Sequence, residues 1–402
     1  MVTEVGGASD PATEHMPAIV SISARGEERL RSGHPWIYRS DVVEVDAAAG
    51  DTVVVRGARG RRLGSALFSD RSQITLRMLA YGDASAGIEL WRARIDQAVR
   101  FRERLGIDAT AYRLIHGEAD LLPSLVVDRY GEYLVVQALS QGTDRLMPEI
   151  VKLLVERLQP AGVLARNDPK VRALEGLDQH VRALHGEIPP AVVVREGPIE
   201  YEADLWKGQK TGLFLDQREN HEAAARYGSG RALDCFSYGG GFAMRLAPAC
   251  ADVQALDISA DAVARIQQNA ARNQLSVVTA REVNVFDELR RLERAGERFD
   301  TIVLDPPAFA KNKAAVPGAI AGYKDINLRA LRLLSPGGTL VTCSCSYHVD
   351  EALFIGIVEQ AALDAHARVT IVEKRMQGRD HPVLLSAPET YYLKCLILRR
   401  LE

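Results

Sequence analysis

The chain has 402 residues, enough for two or three ordinary domains and too many for one. Hydrophobic residues make up 47% and charged residues 26%, with 50 Lys and Arg against 53 Asp and Glu. That balance describes a globular protein with a sizeable core and excludes a generally basic nucleic-acid coat. No apolar run reaches the roughly 18 residues of a membrane span. Five cysteines (235, 250, 343, 345 and 395) are too few for a disulfide framework, and the expectation is a cytoplasmic protein without a membrane partner.

Residues 1–16 hold three acids, no Lys or Arg, and mostly small residues. Such a segment buries too little surface to offset its ordering entropy, so a disordered tail is expected, with Met16 as an alternative start. Residues 17–82 follow as short alternating runs (IVSIS, DTVVVRG, RRLGSALF, QITLRML) that predict a small β-barrel with one helix near Glu27–Leu30. Ten Arg against seven acids over 17–80 leave this unit basic. Within it, Gly33 to Arg39 mixes aromatics and cations, as RNA-binding surfaces do. Trp36 and Tyr38 read equally well as core residues of the barrel.

Residues 83–190 read as a small central α/β unit. Its predicted elements are helices over Ile88–Leu105 and Met147–Arg157 and strands at Leu125–Asp128, Tyr133–Ala138 and Gly162–Arg166. It carries no nucleophile arrangement and suits a connector or recognition role. A further strand is predicted at Ala191–Val194. Over 191–402 the pattern becomes strand, loop, helix, repeated. Strands are predicted at Arg231–Cys235, Val253–Asp257, Thr301–Leu304 and Thr339–Thr342, and helices from Phe242 and over Ala260–Asn273, the latter capped by Ser259. This alternation predicts a doubly wound, Rossmann-like α/β sheet.

The first strand of that sheet runs into Asp234-Cys235-Phe236-Ser237-Tyr238-Gly239-Gly240-Gly241. Glycine lets the backbone turn sharply and approach a ligand closely. Asp257 ends the next strand, where a carboxylate accepts hydrogen bonds from ribose hydroxyls. The spacing is not G-x-G-x-x-G, and Asp234 stands before the glycines. A pyrophosphate repels a carboxylate there, whereas the ammonium of S-adenosylmethionine attracts one. S-adenosylmethionine is therefore favoured over a dinucleotide, although Asp234 also reads as a cap on nearby backbone. Asn284, in Val283-Asn284-Val285-Phe286, is placed to hydrogen-bond adenine while an apolar neighbour packs on the ring.

Two further runs carry chemistry. Asp305-Pro306-Pro307-Ala308-Phe309 follows a strand and fixes an acid at its carboxyl end. Amino-methylating enzymes hold a target base with a similar run, though here the aromatic comes one place late, at Phe309. The next strand exits through Cys343-Ser344-Cys345-Ser346, where a cysteine would face the same pocket as Asp305. A lone buried cysteine would favour core packing, but a pair flanked by serines in a loop after such a sheet favours a nucleophile, reactive where the site lowers its pKa. The C-x-C has no accompanying cluster with metal-ligand spacing, so no metal is expected.

The chain resembles the bacterial and archaeal S-adenosylmethionine-dependent RNA 5-methylcytosine methyltransferases that act on large-subunit ribosomal RNA. The likeness runs from about Ile19 to Leu401 through His34 to Tyr38, His116 to Asp120, Val127 to Gly131, Arg166 to Asp168, Gly208 to Asn220, Asp305 to Phe309, Gly322 to Asn327, Ser344 to Ser346 and Asp380 to Pro382. It implies an N-terminal PUA-type RNA-binding domain, the central α/β domain and a class I methyltransferase domain. It further implies that Cys345 is the nucleophile, with Cys343 packing; the chemistry of such an adduct makes Asp305 the candidate to contact N3 of the base. Donor-binding residues are expected at Phe214, Asp216, Arg218, Asp234, Phe236, Ser237, Tyr238, Gly239, Gly240, Asp257, Ile258, Ser259, Asn284, Val285 and Phe286. Arg218 has the best fork for the donor's carboxylate.

Two departures matter. Ala308 stands where two-cysteine RNA cytosine methyltransferases have a second cysteine, and Asn284 where Asp is common. Relatives that methylate guanine lack the Ser-Cys-Ser cysteine, so Cys345 decides between cytosine and another base. The base that takes the carbon-5 proton is open among Asp305, Asp380, His381 and water. Methylation also requires the target to leave its stack, which suits RNA carrying few ribosomal proteins. The resemblance leaves a homodimer open. A non-catalytic RNA-binding assembly factor is the remaining alternative, disfavoured by the full set of donor-site residues.

Overall fold

The structure, a computed structural model, describes residues 18–310 and 312–402. The expectations of a disordered tail over 1–16 and a start at Met16 lie outside the described residues. The first unit is a six-stranded sheet in the order Trp36–Tyr38, Ile74–Tyr81, Arg62–Phe68, Thr52–Arg56, Ile19–Ile22, Val42–Asp46. Alternation builds its core: Val53 and Val55 point inward from the fourth of these strands, beside Val20, Ile22, Ile37 and Leu76. The helix Ala24–Arg31 starts at Ser23, whose hydroxyl accepts from the Gly26 N–H at 3.2 Å.

Trp36 is half-buried and takes no place in the core of this sheet. Ile37 takes the inward position, and the Trp36 Nε1–H donates to Glu118 Oε1 of the next unit at 3.1 Å. His34 lies 3.4 Å from Glu389 near the C-terminus. The aromatic segment is thus a seam between units. Tyr38 is half-buried, with the Arg29 guanidinium 4.7 Å from its ring centre.

The central unit is a five-stranded sheet in the order His180–Gly186, Gly162–Asn167, Tyr133–Ala138, Leu125–Tyr130, Ala111–His116. Its helices Ile88–Arg104 and Met147–Leu158 pack Trp91, Ile95 and Val99 in one cluster with Ile150, Leu153 and Leu154. Leu67 and Leu79 of the first sheet join that cluster, so the two units share a core. The two outer strands escaped the sequence reading. Ala111–His116 carries Arg113 inside a buried ion pair, and His180–Gly186 is mostly solvent-facing.

A hairpin, Val192–Glu196 with Ile199–Ala203, leads to a seven-stranded sheet. Its order is Val278–Glu282, Asp252–Asp257, Arg231–Cys235, Phe299–Leu304, Leu334–Ser344, Lys394–Arg400, Val369–Arg375. The first five strands pair in parallel, and Lys394–Arg400 runs antiparallel to both neighbours. Both faces are covered. Ala232, Val303 and Val341 face one apolar cluster, while Leu233, Leu304 and Leu340 face the other. Tyr130, Val135 and the hairpin's Val194 and Tyr201 pack in the first of these clusters. Strand order reverses around Arg231–Cys235, so the carboxyl ends there open the crevice where such sheets bind ligands. Among the described residues no helix is long and apolar enough to cross a membrane.

Candidate active site

A cavity of about 720 Å³ opens at those carboxyl ends. One end of its wall is the glycine loop. Phe236 and Tyr238 adopt left-handed backbone with φ of 63° and 50°, which folds the loop tightly over the strand end. Asp257 locks the turn: its Oδ2 accepts from Tyr238 N and its Oδ1 from Ser259 N, both at 2.9 Å. A Cβ on Gly241 would lie 2.4 Å from the His221 ring, so any side chain there would have to displace that ring. His221 is held in turn by Glu196 at 3.0 Å.

The loop's acid points elsewhere than expected. Asp234 does not line the cavity; its Oδ2 accepts from Ser237 Oγ at 2.5 Å and Ala243 N at 3.0 Å, beneath the loop. The backbone-capping reading describes its contacts, and burial pushes its carboxyl up to about 7. Arg218 also lies off the cavity wall, with both terminal nitrogens on Asp380 at 3.0 Å, so its fork is not free for a donor carboxylate. Gly240 (φ 83°) turns toward Met244, and Ser259 caps the helix Ala260–Arg272. Neither of them faces the cavity. Phe214, Asp216, Phe236, Ser237, Tyr238, Gly239, Asp257, Ile258, Asn284, Val285 and Phe286 all do. Asn284 caps the next helix, its carbonyl oxygen accepting from Phe286 N and Asp287 N, which leaves its amide nitrogen to offer adenine.

Cys345 and Asp305 line the same cavity. The Ser-Cys-Ser run is clamped on both sides. Ser344 donates to Tyr323 Oη, Ser346 Oγ lies 3.0 Å from that phenol, and Ala310 N donates to Ser346 Oγ at 3.1 Å. Behind it, the buried Lys394 ammonium donates to the carbonyls of Ser346 at 2.7 Å and Tyr392 at 3.0 Å. The Cys345 thiol points to Pro306 O at 3.9 Å. Cys343 is fully buried opposite Cys395. Phe309 lines the cavity, its ring 4.7 Å from Tyr323 and 5.9 Å from Phe286.

A chain of amides orients Asp305. Arg375 donates to Asn220 Oδ1 at 3.0 Å, and Asn220 donates to Gln217 Oε1 at 2.7 Å. The Gln217 amide nitrogen is thereby turned to donate to Asp305 Oδ1 at 2.9 Å. Burial, then the Asp216 charge, push the Asp305 carboxyl up to about 6. Sequence reasoning missed Gln217, Tyr392 and Lys394, whose roles come from contacts made across the fold. Asp380 and His381, candidates for the proton-accepting base, do not line the cavity, and Asp380 is saturated by Arg218 and Arg113 N.

The resting thiol departs from the expected direction. Burial and the nearby Asp305 and Asp216 charges push Cys345 up to about 11, while Lys210 and Lys394 pull it down. The thiolate fraction then grows about tenfold per pH unit below that value. Alkylation of Cys345 by iodoacetamide, read by peptide mass, is expected to accelerate from pH 7 to pH 10 without a plateau. A plateau near neutral pH would show a thiol activated in the resting protein.

Two family descriptions match the chain: a PUA-like domain over residues 20–81 and an S-adenosylmethionine-dependent methyltransferase over residues 143–398. The chain belongs to this methyltransferase family. It is 40% identical over 395 residues to a protein of Tolumonas auensis named ribosomal RNA large subunit methyltransferase I, covering 96% of this chain and all of that one. The protein of the same name from Vibrio cholerae is 39% identical, over 94% and 98% of the two chains. A crystal structure of a methyltransferase complexed with SAH superposes with a TM-score of 0.83 at 20% identity, over 95% and 99% of the chains, and shows the shared fold.

S-adenosylmethionine is the methyl donor of this family, and the site suits it. Ile258 leaves 68% of its surface uncovered next to Asp257, an apolar face without a protein partner. In front of Gly239 a Cβ would meet nothing nearer than Arg265 at 3.8 Å, so the loop leaves room for a ligand. Asp257, Ile258, Phe236 and the Asn284–Phe286 turn would hold its adenosine.

Proposed function

We propose that this methyltransferase acts on large-subunit ribosomal RNA and methylates carbon 5 of a cytosine through a Cys345 adduct at carbon 6. The observation that carries the reading is that Cys345 and Asp305 share one cavity with the donor loop. The curated relatives named for large-subunit ribosomal RNA support the substrate. When bound, the donor supplies an electrophilic methyl group.

Carbon 5 of cytosine is a poor nucleophile while the ring is aromatic. Attack of Cys345 sulfur on carbon 6 forms the C–S bond, breaks conjugation and makes carbon 5 enamine-like. The thiol proton must leave as sulfur attacks, and ring N3 must gain one to keep the adduct neutral. A carboxyl held near 6 suits both transfers, so Asp305 is the group to carry that proton from sulfur to N3. After methylation the carbon-5 proton passes to the Asp305 carboxylate or to water, the C–S bond breaks to release the thiolate, and N3 returns its proton to the sulfur, which leaves neutral 5-methylcytosine. Gln217 keeps Asp305 aimed, and Lys394 braces the loop that carries sulfur. The basic N-terminal sheet and the seam at Trp36 suit an RNA laid across both units.

The test is the identity of the product. Purified protein, labelled S-adenosylmethionine and large-subunit RNA transcribed in vitro are incubated, and the RNA is digested to nucleosides for mass analysis. The expected product is 5-methylcytidine. A methylated guanosine or an N-methylated base would overturn the cytosine assignment, and bound RNA without any product would favour an assembly factor.

A further inference from the structure

Asp216 lines the cavity that also holds the glycine loop and Cys345. It is 3% exposed, and its two oxygens differ sharply. Oδ2 accepts from the Lys210 ammonium at 2.6 Å and from the Tyr392 hydroxyl at 2.8 Å. Oδ1 is buried and has no hydrogen-bond partner among the described residues. A carboxylate oxygen without a partner in such a place costs stability unless something else satisfies it.

Its neighbourhood says what that something must offer. Burial opposes ionisation, but the Lys210 charge and the Tyr392 hydrogen bond hold the Asp216 carboxyl well below the ordinary range. It is therefore an acceptor only. The next residue, Gln217, holds Asp305, so the turn Leu215–Gln217 brings the two carboxyls to the same stretch of wall. Asp305 titrates near 6 and is able to carry a proton. The wall thus presents a fixed acceptor beside a group able to donate.

Cytosine carries the complementary pair, an exocyclic amine donor next to the N3 acceptor, whereas uracil carries O4 as an acceptor next to an N3–H donor. We infer that Asp216 Oδ1 accepts a hydrogen bond from the exocyclic amine of the target cytosine and rejects uracil. Asp216 is then a specificity-determining residue rather than part of the donor site where its motif first suggested placing it. The inference rests on the cytosine reading above. Against uracil O4 the ionised oxygen meets another acceptor, and discrimination of this kind reaches several orders of magnitude when a buried polar group is left unpaired.

The alternative occupant of Oδ1 is the donor's ammonium, and the experiment separates the two. Two RNAs are transcribed that differ only in cytidine or uridine at the nucleotide the wild-type protein methylates. kcat/KM is measured on each for wild type and Asp216→Asn, and the affinity for S-adenosylmethionine is measured without RNA by calorimetry. The expected result is a cytidine-to-uridine ratio at least tenfold lower in Asp216→Asn, with donor affinity within twofold of wild type. Tyr392→Phe, which removes a partner of Oδ2 only, is expected to keep the wild-type ratio.

Asp216→Glu keeps the charge and shifts the oxygens by one methylene. It takes the place of the amide variant, read on the same ratio, if thermal melting shows that Asp216→Asn does not fold. A tenfold loss of donor affinity in the folded variant would assign Oδ1 to the ammonium and overturn the inference. An unchanged ratio would also overturn it. If the wild type makes 5-methylcytidine and the ratio is unchanged, only this inference fails. A wild type that makes none removes the cytosine reading and this inference together.

Discussion

Cys345→Ala is expected to lower 5-methylcytidine formation by roughly a thousandfold or more, the scale on which removing a covalent nucleophile acts. Nothing else among the described residues of the cavity wall offers sulfur: Cys343 and Cys395 are buried in the sheet, and Ala308 follows the two prolines. Cys343→Ala, which trims only packing, is expected to keep activity within a few-fold and cost about 1 kcal/mol of stability. The check is single-turnover methyl incorporation for wild type and both variants. A second readout uses RNA with 5-fluorocytidine at the target, where the fluorine cannot leave as the proton does, so the adduct persists as a slow-migrating band. That band should vanish in Cys345→Ala and survive in Cys343→Ala. Full activity without Cys345 would make it a packing residue and remove the adduct mechanism.

The second large effect concerns the ion pair behind the site. Asp380 is fully buried and accepts from both terminal nitrogens of Arg218 and from Arg113 N, while its carbonyl accepts from Arg102. Arg102 is paired with Asp120, and Arg113 with Asp128, so this carboxylate ties the central unit to the motif that carries Asp216 and Gln217. Asp380→Ala removes both hydrogen bonds of the buried Arg218 fork to carboxylate and leaves it only the longer contact to Glu219 at 3.6 Å, and is expected to cost about 3–5 kcal/mol. Replacing both partners with apolar residues of similar size should cost less than the sum of the single changes.

Chemical denaturation of the four proteins checks this, and additive losses would mean the two side chains are not coupled. The same pair has a pH signature. His381 and Arg218 hold the Asp380 carboxyl below its ordinary range despite its burial. An unfolded aspartate titrates near 3.9, so the contribution is complete above about pH 4 and fades as the pH falls toward the folded value.

The residues that came straight from the sequence share a property: their roles depend on local spacing. The glycine loop, Asp257 at a strand end, the Asp-Pro-Pro turn and the Ser-Cys-Ser exit all sit at carboxyl ends of parallel strands, and short-range pattern suffices to put them there. Asp234 misled for the converse reason. Its position in the chain is that of a ligand-facing acid, yet a one-residue choice of side-chain direction turned it under the loop to Ser237 and Ala243. Arg218 misled because its partner, Asp380, is 162 residues away and no local signal links them.

The sequence by itself determined the order of the elements, the doubly wound sheet and the chemistry available at its rim, because alternation, glycine turns and proline turns act over a few residues. Only the tertiary structure decided which charges are already paired and which polar atoms remain free. Lys394 lies beside Ser344 through antiparallel strand pairing, and Tyr392 reaches Asp216 across the cavity, both from the far end of the chain. Burial and charge at a point in space set whether a carboxyl is an acceptor, a donor or a silent cap, and both depend on segments that meet only once the chain has folded.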